Sequence, residues 1–204
     1  MNKFVRAYCL PALCGLFGVF GFACASSSPQ VIYYSLLDTA AQGPIERKND
    51  QLVLLVGPVT IPDILNRSQI ATGGKDGIFQ RSEYHRWAGD LDREIARTLT
   101  EQLAMELGTE KVVLFPGDQR LAPNCQVLIN VLEMGGNLGK EANMIIRWTL
   151  IDSQGKWGPV IRRSHFSEPL GDGGYNSWVK VQQHNIRRLG KEIAGSVKEN
   201  MKLQ

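Results

Sequence analysis

The sequence predicts an α+β fold, with one mostly antiparallel β-sheet and two long helices packed on one face. Three patterns carry that expectation. Leu91, Ile95, Leu99, Leu103 and Leu107 recur every four residues with charges between them, as an amphipathic helix requires. Ile186, Leu189, Ile193 and Val197 repeat at three- and four-residue spacing near the C-terminus and mark a second helix. Between them lie three strand-like runs, 126–134, 144–151 and 160–166, separated by glycine-containing turns. That order reads as an antiparallel meander.

In chain order, residues 31–37 open on Val31, Ile32, Tyr33 and Tyr34, and β-branched and aromatic content makes this the first strand. Residues 39–51 are polar, contain Gly43 and Pro44, and read as a loop. The near-continuous apolar run 52–59 suggests a central strand buried on both faces. Pro58 and Pro62 bound the segment 59–61 and make it irregular or an edge, because proline offers no ladder donor. Residues 64–70 and 78–84 flank the turn 73–77 and suggest a hairpin. The first long helix follows, with Gly108 placed as its stop. Residues 112–115 form a short strand ended by Pro116-Gly117. Met144, Ile146, Trp148 and Leu150 share one face of the middle meander strand. The Gly- and Pro-rich loop 169–174 leads into the final helix.

The N-terminus carries a targeting signal. Lys3 and Arg6 precede an uncharged run of about 17 residues, 7–23, shorter than the roughly 20 residues a transmembrane helix needs. A basic start, an apolar run and then small residues make 1–23 a signal peptide. Cys24 stands at the cleavage point and reads as a lipid attachment site. Ala23-Cys24-Ala25 also fits plain cleavage after Ala25, so both fates stay open on these residues. Residues 24–30, with three consecutive serines, read as the lipidated N-terminus and a short tether. Residues 31–204 form the folded domain.

Composition narrows the function. The chain has 204 residues, 43% of them hydrophobic and 21% charged, as in an ordinary globular domain. The formal charge of +3 falls to about +1 once Lys3 and Arg6 are removed. No basic stripe with interleaved aromatics suggests nucleic acid as a partner. Of four cysteines, Cys9 and Cys14 lie in the signal segment. Cys125, beside Val127, Leu128 and Ile129, reads as a buried, inert thiol. If Cys24 carries no lipid, a bridge between it and Cys125 or intermolecular pairing becomes possible.

Catalytic motifs are not evident. His85, His165 and His184 show no metal-ligand spacing, and surface or packing roles suit all three. Residues 135–140 resemble a phosphate loop only superficially, because Glu141 occupies the place of the magnesium-binding Ser or Thr; a hairpin turn fits better. Asp90 and Asp92, two residues apart on a helix, face different ways and read as charges near its N-terminus. Nothing in the sequence asks for an enzyme or a cofactor.

Three blocks carry a family resemblance. They are Tyr33-Tyr34-Ser35-Leu36, the run 56–70 (VGPVTIPDILNRSQI), and Arg86-Trp87-Ala88-Gly89-Asp90-Leu91. In this order, behind a lipoprotein-like signal, they resemble the ABC-type transport auxiliary lipoproteins (PqiC/YmbA-like). Asn66 stands where that family often has Asp, and Gly21-Phe22 departs from the usual lipoprotein signal. The resemblance implies a non-enzymatic, lipid-anchored accessory of a lipid transport system. Its anchor would be acyl chains, palmitate among them, on Cys24. Its place would be the periplasmic face of the outer membrane, since Ala25 rather than Asp follows Cys24. Its partner would be an MCE-domain tunnel protein, with phospholipid and further copies of the chain as possible associates. A periplasmic lipid-binding module with an apolar pocket is the alternative. Tyr34, Pro58, Pro62, Arg67, Arg86 and Trp87 are the candidate docking residues. Gly57-Pro58 and Pro62 would stiffen a docking edge. Trp87 would stack with Arg86 or cap the core, and Tyr33, Tyr34 and Arg67 would serve as packing residues or partner contacts.

Overall fold

The four-residue leucine spacing builds helix α1 (Leu91–Leu107), and Leu91, Ile95, Leu99, Leu103 and Leu107 are all buried. Gly108 ends it in the left-handed region at φ 64°, its N–H donating to Ala104 O, a position glycine takes without a Cβ penalty. The C-terminal spacing belongs to helix α2 (Tyr175–Lys202). Its Ile186, Leu189, Ile193 and Val197 are at most 1% exposed. In this computed structural model residues 29–37, 43–46, 51–117 and 120–202 are described. The signal segment 1–23, Cys24 and most of the tether lie outside them.

Among the described residues eight strands accompany the helices: β1 (Ile32–Tyr34), β2 (Leu54–Thr60), β3 (Gln69–Gly73), β4 (Phe79–Trp87), β5 (Val112–Leu114), β6 (Cys125–Gly135), β7 (Glu141–Asp152) and β8 (Val160–Pro169). They form two mixed sheets, ordered β1-β4-β3 and β5-β2-β6-β7-β8. The antiparallel meander β6-β7-β8 is present as expected. The single, mostly antiparallel sheet is not. β1 runs parallel to β4, and β2 runs parallel to both β5 and β6. The physical reason is connectivity: parallel neighbours are joined by long crossovers, and here α1 and other elements intervene. A Gly73–Gly136 bridge stitches the sheets together, with N–H to O distances of 2.7 and 2.8 Å.

Both helices pack against the five-stranded sheet and against each other. On β7 the covered face is Ala142, Met144, Ile146, Trp148 and Leu150, each buried, while Ile145, Arg147 and Thr149 point the other way. Buried polar groups locate α2 on this layer. Trp178 Nε1 donates to Gly135 O at 3.0 Å, and Gln182 Nε2 donates to Gly135 O and Asn143 O at 3.1 Å each. Paired buried donors of this kind avoid the penalty of lost hydration.

Three local expectations change. β2 is buried on one face, through Leu54 and Val56, with Leu55 half-buried. It continues through Pro58 by a bulge between Val56 and Val59. β5 pairs only with residues 54–56, so the proline falls where that side of β2 has no ladder to serve. The hairpin strand before the glycine turn is 69–73 rather than 64–70, because residues 62–66 are taken up by a turn in which Pro62 O accepts from Leu65 N and Asn66 N. Among the described residues no helix is long and apolar enough to cross a membrane.

Candidate docking site

The end of β4 is held from both sides. Trp87 N–H donates to Ser68 O, and Ala88 N–H donates to Tyr34 O, each at 2.7 Å. These two bonds join the three sequence blocks at one place. The turn begun by Pro62 buries Leu65 and delivers Asn66, Arg67 and Ser68 to the surface. Opposite them run residues 87–91, the junction into α1. A groove of about 460 Å³ lies between the two segments.

The groove floor is rigid and its rim is polar. Trp87 is 4% exposed and packs against Trp178 of α2, ring centroids 6.1 Å apart at 45°, so it caps the core. Arg67 and Asn66 are exposed. Asp90 occupies the cap position of α1 without a side-chain cap bond; its carboxylate is 3.8 Å from Arg93 Nε, and both side chains are largely exposed. Donors, one cation and one carboxylate therefore surround the Trp87 floor, a composition suited to a polar protein surface.

Tyr34 turns inward beside the groove. Its hydroxyl lies 2.9 Å from His85 Nδ1, and His85 stacks on Tyr175 at 4.0 Å and 16°. Burial, with Tyr175 adding to it, raises the Tyr34 pKa. The phenol therefore stays protonated and can donate to the imidazole. On the other side of the same sheet, Tyr33 and Arg86 are register partners. Tyr33 is 62% exposed, whereas Arg86 is half-buried and its Nε has no hydrogen-bond partner among the described residues.

Ser35 and Leu36 fasten the first block to α1. Ser35 Oγ donates to Glu94 Oε2 at 2.6 Å, and Leu36 N–H donates to the same oxygen at 3.0 Å. Gln183 Nε2 of α2 donates to Ser35 O at 3.0 Å. Sequence reasoning missed Glu94, Gln183 and Tyr175 as supports of the site. Only the position of Glu94 in the first turns of α1 carried any hint of them.

Of the candidate docking residues, Arg67 and Trp87 line the groove, Tyr34 is the register partner of Trp87 on the adjoining strand, and Arg86 lies on the opposite face of the three-stranded sheet. Pro62 supports the groove from the turn. Pro58 is elsewhere, exposed on the five-stranded sheet, where neighbouring Gly57 abuts the exposed Phe115 of the 115–117 turn. His184 pairs with Glu168 on the surface, and His165 is exposed on β8. Cys125 is buried, and burial with a contribution from Asp152 pushes its thiol up to about 12, as an inert thiol requires. Among the described residues no cluster of His, Cys, Asp and Glu is placed to hold a metal ion.

Residues 34–194 match the family described as the ABC-type transport auxiliary lipoprotein component. That range takes in all or part of each of the three blocks. No curated protein matches the chain. Two solved structures share its fold. One is described as an uncharacterized protein, 20% identical, with 83% of this chain and 99% of that chain aligned and a TM-score of 0.67. The other is a Xanthomonas campestris protein of the DUF330 family, 13% identical, with 82% and 94% aligned and a TM-score of 0.65.

Proposed function

We propose that this chain, which belongs to the ABC-type transport auxiliary lipoproteins, is a non-enzymatic accessory of an MCE-type lipid transport system. It is anchored through Cys24 at the periplasmic face of the outer membrane, and its groove docks the tunnel protein. The observation that carries this reading is the meeting of the three blocks at the end of β4, where residues 66–68 and 87–91 line one surface groove over the buried Trp87 and Tyr34 O of the first block accepts from Ala88 N–H. Rigid floors with polar rims are the anatomy of protein interfaces. The lipid anchor would keep this groove close to one membrane, where a tunnel end arrives.

Crosslinking of membrane-solubilised protein tests the docking claim. Wild type should recover an MCE-domain protein, and Arg67→Glu should lose it without loss of fold. The mass of the recovered complex also counts copies of the chain. Failure of wild type to recover any such partner overturns the docking claim. The anchor is tested separately by intact mass of the membrane-fraction protein against Cys24→Ser. An N-terminus at Ser26 without lipid mass overturns it.

One observation favours the lipid-binding alternative. A cavity of about 630 Å³ opens at the C-terminal ends of both helices, lined in part by Leu52, Met105, Leu107, Val197 and Met201. That volume and lining fall in the range of small-molecule sites. Native mass spectrometry showing one lipid per chain, lost on Met105→Gln, would support it.

A further inference from the structure

The face of the five-stranded sheet turned away from the helices carries an uncompensated basic pair. Arg147 of β7 and Arg163 of β8 are direct antiparallel register partners, and both are exposed. Side chains so placed have Cβ atoms about 5 Å apart, and like charges there are destabilising. Among the described residues neither guanidinium has an ion-pair or hydrogen-bond partner. The register explains why. Across β6, Arg147 faces Asn130. Along the strands its neighbours are Ile145 and Thr149, and those of Arg163 are Ile161 and His165. The carboxylate of Glu133, paired in register with Ile145, accepts instead from Asn143 Nδ2 toward the β6–β7 turn.

Apolar surface adjoins the charges. Ile161 is 64% exposed and stands beside Arg163 on the same face, in register with Thr149. Arg162 is exposed at the same edge, since β8 ends the sheet. Two forked cations beside a protruding aliphatic side chain match a surface of phosphate groups above acyl chains. Arginine binds phosphate oxygens in bidentate fashion, and an aliphatic side chain gains by entering the acyl boundary.

We propose that the Arg147–Arg163–Ile161 face is a contact site for an anionic phospholipid surface. The lipid phosphates supply the counter-charge that the fold withholds, and Ile161 enters the interface. The inference rests on the reading of the chain as a membrane-anchored protein only in that the anchor supplies proximity; the surface itself is independent of Cys24.

The test uses the full chain carrying Cys24→Ser, so that no lipid anchor contributes. Its partition is measured onto vesicles of phosphatidylcholine and onto equimolar phosphatidylcholine and phosphatidylglycerol. The expected result is stronger binding to the anionic vesicles, with a difference that shrinks as salt rises. Lys3 and Arg6 of residues 1–23 also favour anionic vesicles, so the contribution of the sheet face is read as the difference between the parent chain and its arginine variants on the same vesicles. Arg147→Gln and Arg163→Gln should each lower anionic partition about fivefold, the equivalent of about 1 kcal/mol per arginine, and leave neutral partition unchanged. Arg163→Glu should lower the anionic preference further than Arg163→Gln does, while its thermal midpoint holds or rises, because it pairs with Arg147. Equal binding to both vesicles, or an anionic preference untouched by the double Gln variant, overturns the proposal. So does loss of an acidic protein partner, rather than of vesicle binding, in the same variant. Because the anchor is read by intact mass and this surface by charge-dependent partition, either can fail alone.

Discussion

Glu94 Oε2 accepts both Ser35 Oγ and Leu36 N–H, at 2.6 and 3.0 Å, so a single carboxylate oxygen ties the first strand to the first helix. Hydrogen bonds to a charged acceptor are stronger than neutral ones, about 1.5–3 kcal/mol each. Glu94→Ala removes both and leaves Leu36 N–H unpaired beside the buried Leu36 side chain. A loss of about 2–4 kcal/mol in urea unfolding is expected. Ser35→Ala removes one of these bonds and the acceptor of Leu37 N–H and should cost about 1.5–3 kcal/mol, and the double variant should cost less than the sum of the two singles. Additive losses would mean that the two residues do not act as a pair.

Trp87 and Arg67 lie on the same groove yet should behave oppositely. Trp87 is buried against Trp178, and Trp87→Ala should destabilise by about 3–5 kcal/mol. Arg67 is exposed and has no ion pair among the described residues, so Arg67→Glu should stay within about 0.5 kcal/mol of wild type. Thermal unfolding of both variants, run beside the crosslinking assay, separates a folding role from a docking role.

Sequence pattern made the local elements legible. The leucine repeat and Gly108 bound α1, and the glycine turns bound the meander. Pairing across distance was not legible. β1 pairs with β4 about fifty residues away, and β2 pairs with β6 about seventy away. No turn sets those registers, so a single antiparallel sheet was the natural but mistaken expectation. The groove suffered in part for the same reason, since Tyr34 meets Trp87 and Ala88 only through the β1–β4 pairing. His85 and Tyr175 stack across ninety residues with no spacing to announce it. Arg147 was within reach. Once Met144, Ile146 and Trp148 were assigned to one face, Arg147 had to occupy the other, but its apposition to Arg163 needed the β7–β8 register.

The joint between the sheets has no room for a side chain. A Cβ on Gly136 would stand 2.2 Å from Glu141 O, and its φ is +106°. Both the contact and the dihedral oppose any other residue. Gly136→Ala should therefore lose at least about 3 kcal/mol or fail to fold. Gly155, at φ +71° with open space around it, serves as the control. Gly155→Ala should pay only the left-handed cost of about 1–2 kcal/mol. Equal losses at the two positions would remove the steric argument.

Glu168 gives the fold an acid sensitivity. Burial raises its pKa, but His184 at 2.8 Å and Arg188 at 3.0 Å outweigh burial and hold the carboxyl below its ordinary 4.5. A depressed folded pKa contributes stability above the unfolded value and loses it as pH falls through the folded one. The stability gap between wild type and Glu168→Gln should be full above pH 4.5 and close below it. A gap independent of pH would show that the carboxylate charge is not what stabilises this cluster.

Cys125 gives the opposite dependence. Its thiol is 2% exposed and is pushed up by burial, with a contribution from Asp152, from 9.0 to about 12. The folded chain therefore holds the thiol proton more tightly than the unfolded chain does. Its contribution is complete below pH 9 and is lost as pH rises toward 12, at about 1.4 kcal/mol per pH unit. Other groups titrate in that range, so the diagnostic quantity is the difference between wild type and Cys125→Ala. That difference should fall steadily between pH 9 and the onset of alkaline unfolding. At pH 8 a thiol reagent should label Cys125 only at the rate of global opening. Rapid labelling of the native chain would show that the thiol is neither buried nor inert, and the pH dependence would then vanish with it.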